Sequence, residues 1–297
     1  PVTVNPLPVP AITGESPVCL GVPGKTYSCQ AGKLNYTWNI PSQATVTTGG
    51  GSANNSVTVT WNSAGTYNLT VNYTEPATSC TAPAPSAYPV TVNPLPVPAV
   101  TGPASACVGV AGKTYTGQPG KINYTWSVPS QATVTGGGTG SDDFITVTWN
   151  STGSYNVSLN YAEPATSCMA AAPTQYPVTV NALPVPTVSG PNSVCAGVSG
   201  KTYTTQAGKL NYVWNIPAEA TVTAGGTGAD NSVTVTWNSV GTYSLTASYT
   251  EPATSCTAVS LNPYSVTVNP LPAPAVTGNS SVCPSIAGQT YTCQPEK

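Results

Sequence analysis

The chain has no arginine and no histidine, and its charge rests on seven lysines and nine acidic residues among 297. At 5% charged residues, against a usual ~25%, it offers no basic footprint for nucleic acid and no polybasic patch for anionic lipid. Without histidine the usual general base for a serine or cysteine nucleophile is missing. With no C-x-x-C spacing either, no zinc site can be built. No apolar run approaches the ~20 residues of a membrane helix, and no signal-peptide pattern or helical periodicity is visible. Low charge combined with 39% hydrophobic residues also argues against disorder, which needs high net charge and few apolar groups. Surface polarity must come from Thr, Ser and Asn, which respond little to salt or pH.

What the chain does have is period. The segment Asn93-Pro94-Leu95-Pro96-Val97-Pro98-Ala99-Val100-Thr101-Gly102 recurs from Asn5, Asn181 and Asn269, always 88 residues apart. A fixed period sets the structural unit directly. Residues 1–5 read as the end of a preceding repeat, with Pro1-Val2-Thr3-Val4 matching Pro89 to Val92. Residues 6–93, 94–181 and 182–269 read as three β-sandwich repeats, and 270–297 as the start of a fourth. The first six residues of each joint, Asn-Pro/Ala-Leu-Pro-Val/Ala-Pro, contain neither glycine nor serine, so they read as semi-rigid connectors that hold neighbouring repeats nearly end to end in a rod.

Within the second repeat, Lys113–Thr116, Ile122–Val128, Ala132–Thr135, Phe144–Trp149, Tyr155–Tyr161 and Tyr176–Val180 read as short strands. Alternation puts Ile122, Tyr124, Trp126 and Val128 on one face, and Ile145, Val147 and Trp149 on another. About seven strands at 8–12-residue spacing predict an all-β chain of tandem immunoglobulin-like sandwiches. The expected core aromatics are Trp38, Trp61 and Tyr67 in the first repeat, Trp126, Trp149 and Tyr155 in the second, and Trp214, Trp237 and Tyr243 in the third.

Each repeat carries one recurrent cysteine pair, 61 residues apart. The reading is one disulfide per repeat: Cys19–Cys80, Cys107–Cys168 and Cys195–Cys256, in an oxidising compartment. Closing such a loop stabilises by about 4 kcal/mol in the chain-entropy model. Cys29 and Cys293 stand outside that pattern, at one repeat position three periods apart. They read either as buried free thiols, Cys29 sharing a strand face with Tyr27, or as cross-links to another partner.

Other motifs carry little chemistry. Gly112-Lys113-Thr114 lacks the earlier glycine of a phosphate loop, since Cys107 stands there, and it opens a strand. Asp142-Asp143 is Asn54-Asn55 and Asp230-Asn231 in the other repeats, which makes it a turn rather than a calcium site. Glu75, Glu163 and Glu251 recur within Glu-Pro-Ala-Thr-Ser-Cys, but one carboxylate per repeat is no acid–base pair. A minor alternative has Glu163 with Lys113 or Lys121 assisting an isopeptide bond to Asn123. No catalytic, cofactor-binding or metal site is expected.

The motifs Pro-x-Pro-x-x-x-Gly, Lys-Thr-Tyr, Asn-Tyr-x-Trp-x-Ile/Val-Pro, Val-Thr-Val-Thr-Trp-Asn, Gly-Thr/Ser-Tyr and Ser-Cys resemble the PKD-like repeats of Bacteroidota cell-surface proteins. Giant gliding-motility adhesins of the SprB type, exported by type IX secretion, are their best-known setting. The Gly-Asp-Gly element of ordinary PKD domains is absent, Trp126 being followed by Ser127-Val128-Pro129. The resemblance implies a non-enzymatic, extracellular, surface-attached chain. The leading expectation is a stalk segment that spaces an adhesive tip from the cell. Its partners are then neighbouring repeats of the same chain, with a surface polysaccharide or other extracellular ligand engaged elsewhere and no nucleic acid or membrane insertion. A laterally self-associating fibre or sheath is the second reading, and carbohydrate-binding accessory repeats of a secreted enzyme the third.

Overall fold

A computed structural model describes residues 2–258 and 263–293. Pro1 of the leading fragment, residues 259–262 of the third repeat and 294–297 of the trailing fragment lie outside the described residues. The chain divides into two compact units, Pro1–Val180, which holds the first two repeats, and Asn181–Lys297.

In the first repeat the strands are β1 (Thr13–Gly14), β2 (Val18–Cys19), β3 (Lys25–Ser28), β4 (Leu34–Asn39), β5 (Ala44–Gly49), β6 (Ser56–Trp61), β7 (Gly65–Thr74) and β8 (Ser86–Asn93). They form two sheets, ordered β1-β3-β6-β5 and β2-β8-β7-β4. The second repeat has β9 (Ser105–Cys107), β10 (Lys113–Thr116), β11 (Ile122–Ser127), β12 (Ala132–Gly137), β13 (Phe144–Trp149), β14 (Gly153–Ala162) and β15 (Thr174–Asn181). The third has β16 (Ser193–Cys195), β17 (Lys201–Thr204), β18 (Leu210–Asn215), β19 (Ala220–Gly225), β20 (Ser232–Trp237), β21 (Gly241–Thr250) and β22 (Tyr264–Asn269). Both repeat the two-sheet plan, as β10-β13-β12 with β9-β15-β14-β11, and as β17-β20-β19 with β16-β22-β21-β18. No helix occurs among the described residues. In the trailing fragment β23 (Val276–Thr277) pairs with β24 (Thr292–Cys293), as β1 does with β3.

Period-2 alternation decides which side chains meet between the sheets. Along β6, Val57, Val59 and Trp61 are fully buried while Ser56, Thr58 and Thr60 are half-exposed. Along β7, Leu69, Val71 and Tyr73 face inward. Trp61, Trp149 and Trp237 are each 0% exposed, and Tyr67, Tyr155 and Tyr243 stack on them at 5.6, 5.3 and 5.5 Å. Those tyrosines donate to the carbonyl three residues upstream (Ala64, Thr152 and Val240), closing the corner before the strand. Trp38, Trp126 and Trp214 sit at the core's margin, half-buried, with Nε1 donating to the carbonyls of Asn54, Asp142 and Asp230.

One expected face is broken. Ile122 is exposed, although Tyr124 behind it is buried. Asn123 adopts φ 54°, and the register of β11 with β14 shifts between Ile122 and Thr125. A left-handed residue inserts a bulge there and turns Ile122 out of the alternation. The equivalents Asn35 and Asn211 do the same to Leu34 and Leu210.

Candidate functional site: the joint and the cysteine poles

The proline joint is held by the repeat that follows it. In the second repeat, Gln118 Oε1 accepts from the Ala99 amide at 2.9 Å and Gln118 Nε2 donates to Val97 O at 3.3 Å. Tyr161 Oη donates to Val97 O at 3.3 Å, Thr174 Oγ1 to Pro98 O at 2.6 Å, and Tyr176 Oη to Gly102 O at 2.5 Å. Gln30 and Gln206 grip Ala11 with Val9, and Thr187 with Val185, in the same way. Prolines supply no amide of their own, so these side chains satisfy carbonyls and the few remaining N–H groups of the extended segment. The joint ends in glycine because a Cβ on Gly102 would stand 2.5 Å from Tyr115 Cδ1. Sequence reasoning passed over Gln118, although glutamine stands at that place in every copy (30, 118, 206 and 294).

The cysteines do not pair as the spacing predicts. Cys19 is bonded to Cys168, 149 residues away and in the next repeat, with Cα atoms 5.6 Å apart. Cys80 and Cys195 are free thiols, which contradicts both Cys19–Cys80 and Cys195–Cys256. Cys168 being engaged by Cys19 contradicts Cys107–Cys168 as well. Cys107 and Cys256 are themselves disulfide-bonded.

The reason is strand register. Cys19 lies opposite Asn93 on β8, at the end of the sheet where Gly65 of β7 faces Val92. Cys80 lies beyond Thr74, at the far end of the ten-residue β7. Nine residues at ~3.3 Å separate those ends by roughly 30 Å, and a disulfide tolerates Cα separations only up to about 7 Å. The two cysteines of one repeat therefore occupy opposite poles. The third repeat has the same register, Cys195 facing Asn269 and Cys256 lying past Thr250.

Cys168 is presented by a tight turn. The Glu163 amide donates to Cys168 O at 2.9 Å, the Ser167 amide donates to Glu163 O at 2.7 Å, and Ser167 adopts φ 57°. Beside the turn Lys121 Nζ pairs with Glu163 Oε2 at 2.7 Å and lies 5.8 Å from the centre of the Tyr161 ring. The carboxylate beside it holds the Lys121 ammonium above its ordinary pKa. Lys33–Glu75 and Lys209–Glu251 repeat the pair at 2.5 and 2.6 Å. Glu163 thus engages Lys121 and not Lys113, and with 23% and 35% of the two side chains exposed, water reaches both. That is an ion pair bracing a turn, and it lacks the dry setting an isopeptide condensation needs.

Cys29 is buried against Ile12, Tyr36, Val71, Tyr73 and Trp38, and burial pushes its thiol pKa up. Cys293 is exposed, as is its neighbour Tyr291, whose counterpart Tyr27 is covered by β6. Asp142 accepts from the Thr139 amide at 2.9 Å and from the Thr139 hydroxyl at 2.5 Å, bonds that lower its pKa and close the loop before β13. No group of three or more potential metal ligands occurs among the described residues.

The PKD-like domain model matches the chain three times, over residues 5–90, 93–178 and 181–266. No curated protein matches. Among solved structures, invasin, a bacterial integrin-binding protein, is 11% identical, with 91% of this chain and 60% of that one aligned at TM-score 0.32. The surface layer protein SbsC, domains 1–6, is 15% identical over 97% of this chain and 49% of its own, at TM-score 0.27. Drosophila N-cadherin EC1-4 is 11% identical over 86% and 74%, at TM-score 0.27. The chain therefore spans about half to three fifths of the first two of these structures, and likenesses this distant carry nothing about ligands.

Proposed function

We propose that this chain, which belongs to the PKD-like domain family, is a non-catalytic stalk segment of a long exported bacterial surface adhesin. Its repeats, bounded as 6–93, 94–181 and 182–269, act as spacers between the cell and an adhesive tip. Attachment during gliding and export by the type IX route belong to the same reading, on the resemblance of the repeat motifs.

The observation that carries the proposal is the treatment of the first joint. Residues 97–102 are bonded down onto the second repeat, and a disulfide crosses from the first repeat to the second beside them. A spacer must resist folding back on itself, and two covalent connections between neighbours oppose that more than a peptide joint alone. The disulfides also require an oxidising setting, which supports an extracellular location.

Of the two thiols the fibre reading offers as cross-links, Cys29 is only 8% exposed, while Cys293 is exposed. The carbohydrate reading requires an exposed aromatic face in every repeat. Among the described residues the exposed aromatics are Phe144 and Tyr291, and Phe144 is serine in the other two repeats. A groove lined by Asn35, Thr37, Asn39, Asn72 and Thr81 is likewise not maintained, with Val213 in place of Thr37 and Met169 in place of Thr81.

Immunogold labelling of intact cells with an antibody to these repeats tests the proposal, together with a gene shortened by whole 88-residue periods. Single surface filaments that shorten in step with each deleted period are expected. Label confined to the cell interior, or multi-stranded bundles in fixed register, would count against it.

A further inference from the structure

We infer that the Cys19–Cys168 bond is made on the folded chain, by a disulfide oxidant that enters at Cys19 and is displaced by Cys168. The first two repeats fold and dock before they are oxidised, and the reaction that supplies the bond is thiol–disulfide exchange at their junction. The inference goes beyond the stalk reading and does not rest on it.

Chain statistics disfavour this bond in an unfolded chain. The probability of closing a loop falls as about the three-halves power of its length. Cys29 lies 10 residues from Cys19 and Cys80 lies 61, against 149 for Cys168. An unstructured chain would join Cys19 to Cys29 about sixtyfold, and to Cys80 about fourfold, more readily than to Cys168. Yet Cys29 and Cys80 are free thiols, and the longest of the three loops is the one closed. Burial removes Cys29 from the competition, enclosed by Ile12, Tyr36, Val71 and Tyr73. Register removes Cys80, which lies past the far end of β7 from Cys19. Both protections exist only once the first repeat has folded.

Each repeat presents its own cysteine without help from the bond. Cys19 is fixed opposite Asn93, where the Leu20 amide donates to Asn93 O at 2.9 Å and the Gly21 amide to Trp61 O at 2.9 Å. In the second repeat the Cys168 amide donates to Thr166 Oγ1 at 3.3 Å, and the turn bonds from the Glu163 and Ser167 amides hold it in place. Docking of the joint brings the two together. Val97 O and Pro98 O accept from Tyr161 and Thr174, which bracket Cys168 in the chain, and Asn93 stands four residues before Val97.

Access then sets the order of attack. In the docked repeats Cys19 is half-exposed while Cys168 is 0% exposed, so an oxidant meets Cys19 first. The Cys19 thiolate attacks one sulfur of the oxidant's disulfide, forming a mixed disulfide and releasing one thiol. The Cys168 thiolate attacks Cys19 Sγ, the native S–S bond forms, and the second thiol leaves. Two protons and two electrons pass from the cysteines to the oxidant, a protein or small-molecule disulfide that ends as two thiols.

Two orders of addition test this on the whole reduced chain, with glutathione disulfide as the oxidant. One sample is refolded before oxidation and the other is oxidised in concentrated urea, and tryptic peptides are then mapped by mass. Folding first is expected to give Cys19–Cys168. Oxidation in urea is expected to give Cys19–Cys29 in excess of Cys19–Cys168 by roughly ten- to sixtyfold. Equal yields of Cys19–Cys168 by the two routes would overturn the inference, as would another partner, or none, for Cys19 in the folded sample. Single variants test the point of entry. Folded Cys168→Ser cannot resolve the mixed disulfide, so glutathione should stay on residues 1–25, whose one cysteine is Cys19. In folded Cys19→Ser, Cys168 should stay unmodified. Glutathione on Cys168 in the second variant, or none on residues 1–25 in the first, would overturn entry at Cys19. None of these outcomes touches the stalk reading, which is decided on cells.

Discussion

Trp61 Nε1 donates to Tyr27 Oη at 3.1 Å, and both side chains are fully buried. Tyr27 Oη in turn donates to Glu15 O at 3.2 Å, so one phenol satisfies an indole from β6 and a carbonyl from the segment after the joint. Tyr27→Phe leaves the buried indole N–H without its partner and removes the bond to the Glu15 carbonyl at the core's edge. A loss of about 1–3 kcal/mol is expected for the first repeat. Urea unfolding followed by tryptophan fluorescence would show it, and an unchanged midpoint would mean water reaches the pair.

Gln118 should behave as a clasp for the joint rather than as a core residue. Gln118→Ala removes the bonds to Ala99 and Val97 and is expected to cost about 1–2 kcal/mol locally. Hydrogen exchange at the Ala99 amide should accelerate, while amides in β13 keep their protection. Equal acceleration in both places would show that the joint is not a separable element.

Asn123 holds the bulge of β11 at φ 54°. Glycine takes that conformation without cost and a β-branched residue resists it. Asn123→Gly should therefore be close to neutral, while Asn123→Val should destabilise the second repeat by about 1–2 kcal/mol. If both variants melt alike, the bulge is not fixed by this residue.

The pH dependence follows from what titrates. With no histidine, nothing ordinary changes charge between about pH 5 and 8, and stability should be flat there. Burial raises the pKa of Cys29 and of Tyr27, Tyr115 and Tyr203. A raised folded-state value means the contribution is complete below the unfolded pKa and is lost as pH climbs through the folded one. Stability should thus fall above about pH 8.5 for the thiol and above about pH 10 for the phenols. Asp142 and Asp230 are lowered by the Thr139 and Thr227 bonds, so their contribution is lost on the acid side, below about pH 4. Melting temperatures from pH 3 to 11 would reveal a plateau with two shoulders. A single optimum near neutrality would contradict it.

Much of this architecture was legible in the residues. The 88-residue period marks the repeats, and alternation such as Val57, Val59 and Trp61 marks the inward faces of the sandwich. Ile122 was misplaced because alternation assumes an unbroken strand, and a left-handed asparagine leaves no trace in a hydrophobicity pattern. The cysteine pairing was illegible for an arithmetic reason. A separation of 61 within a repeat and one of 149 between repeats differ by one period, so a periodic sequence satisfies both equally. Only register, which sets Cys19 and Cys80 at opposite ends of β7, decides between them.

The scarcity of lysine makes that decision measurable in one step. Trypsin cuts after Lys25, Lys33, Lys113, Lys121, Lys201 and Lys209, which places Cys19 in residues 1–25, Cys80 in 34–113 and Cys168 in 122–201. Digestion without reduction, followed by mass spectrometry, should find residues 1–25 bonded to 122–201 and released by reductant. Residues 1–25 bonded instead through Cys80 to 34–113, a fragment that also holds Cys107, would return the disulfide to the interior of one repeat and contradict the account.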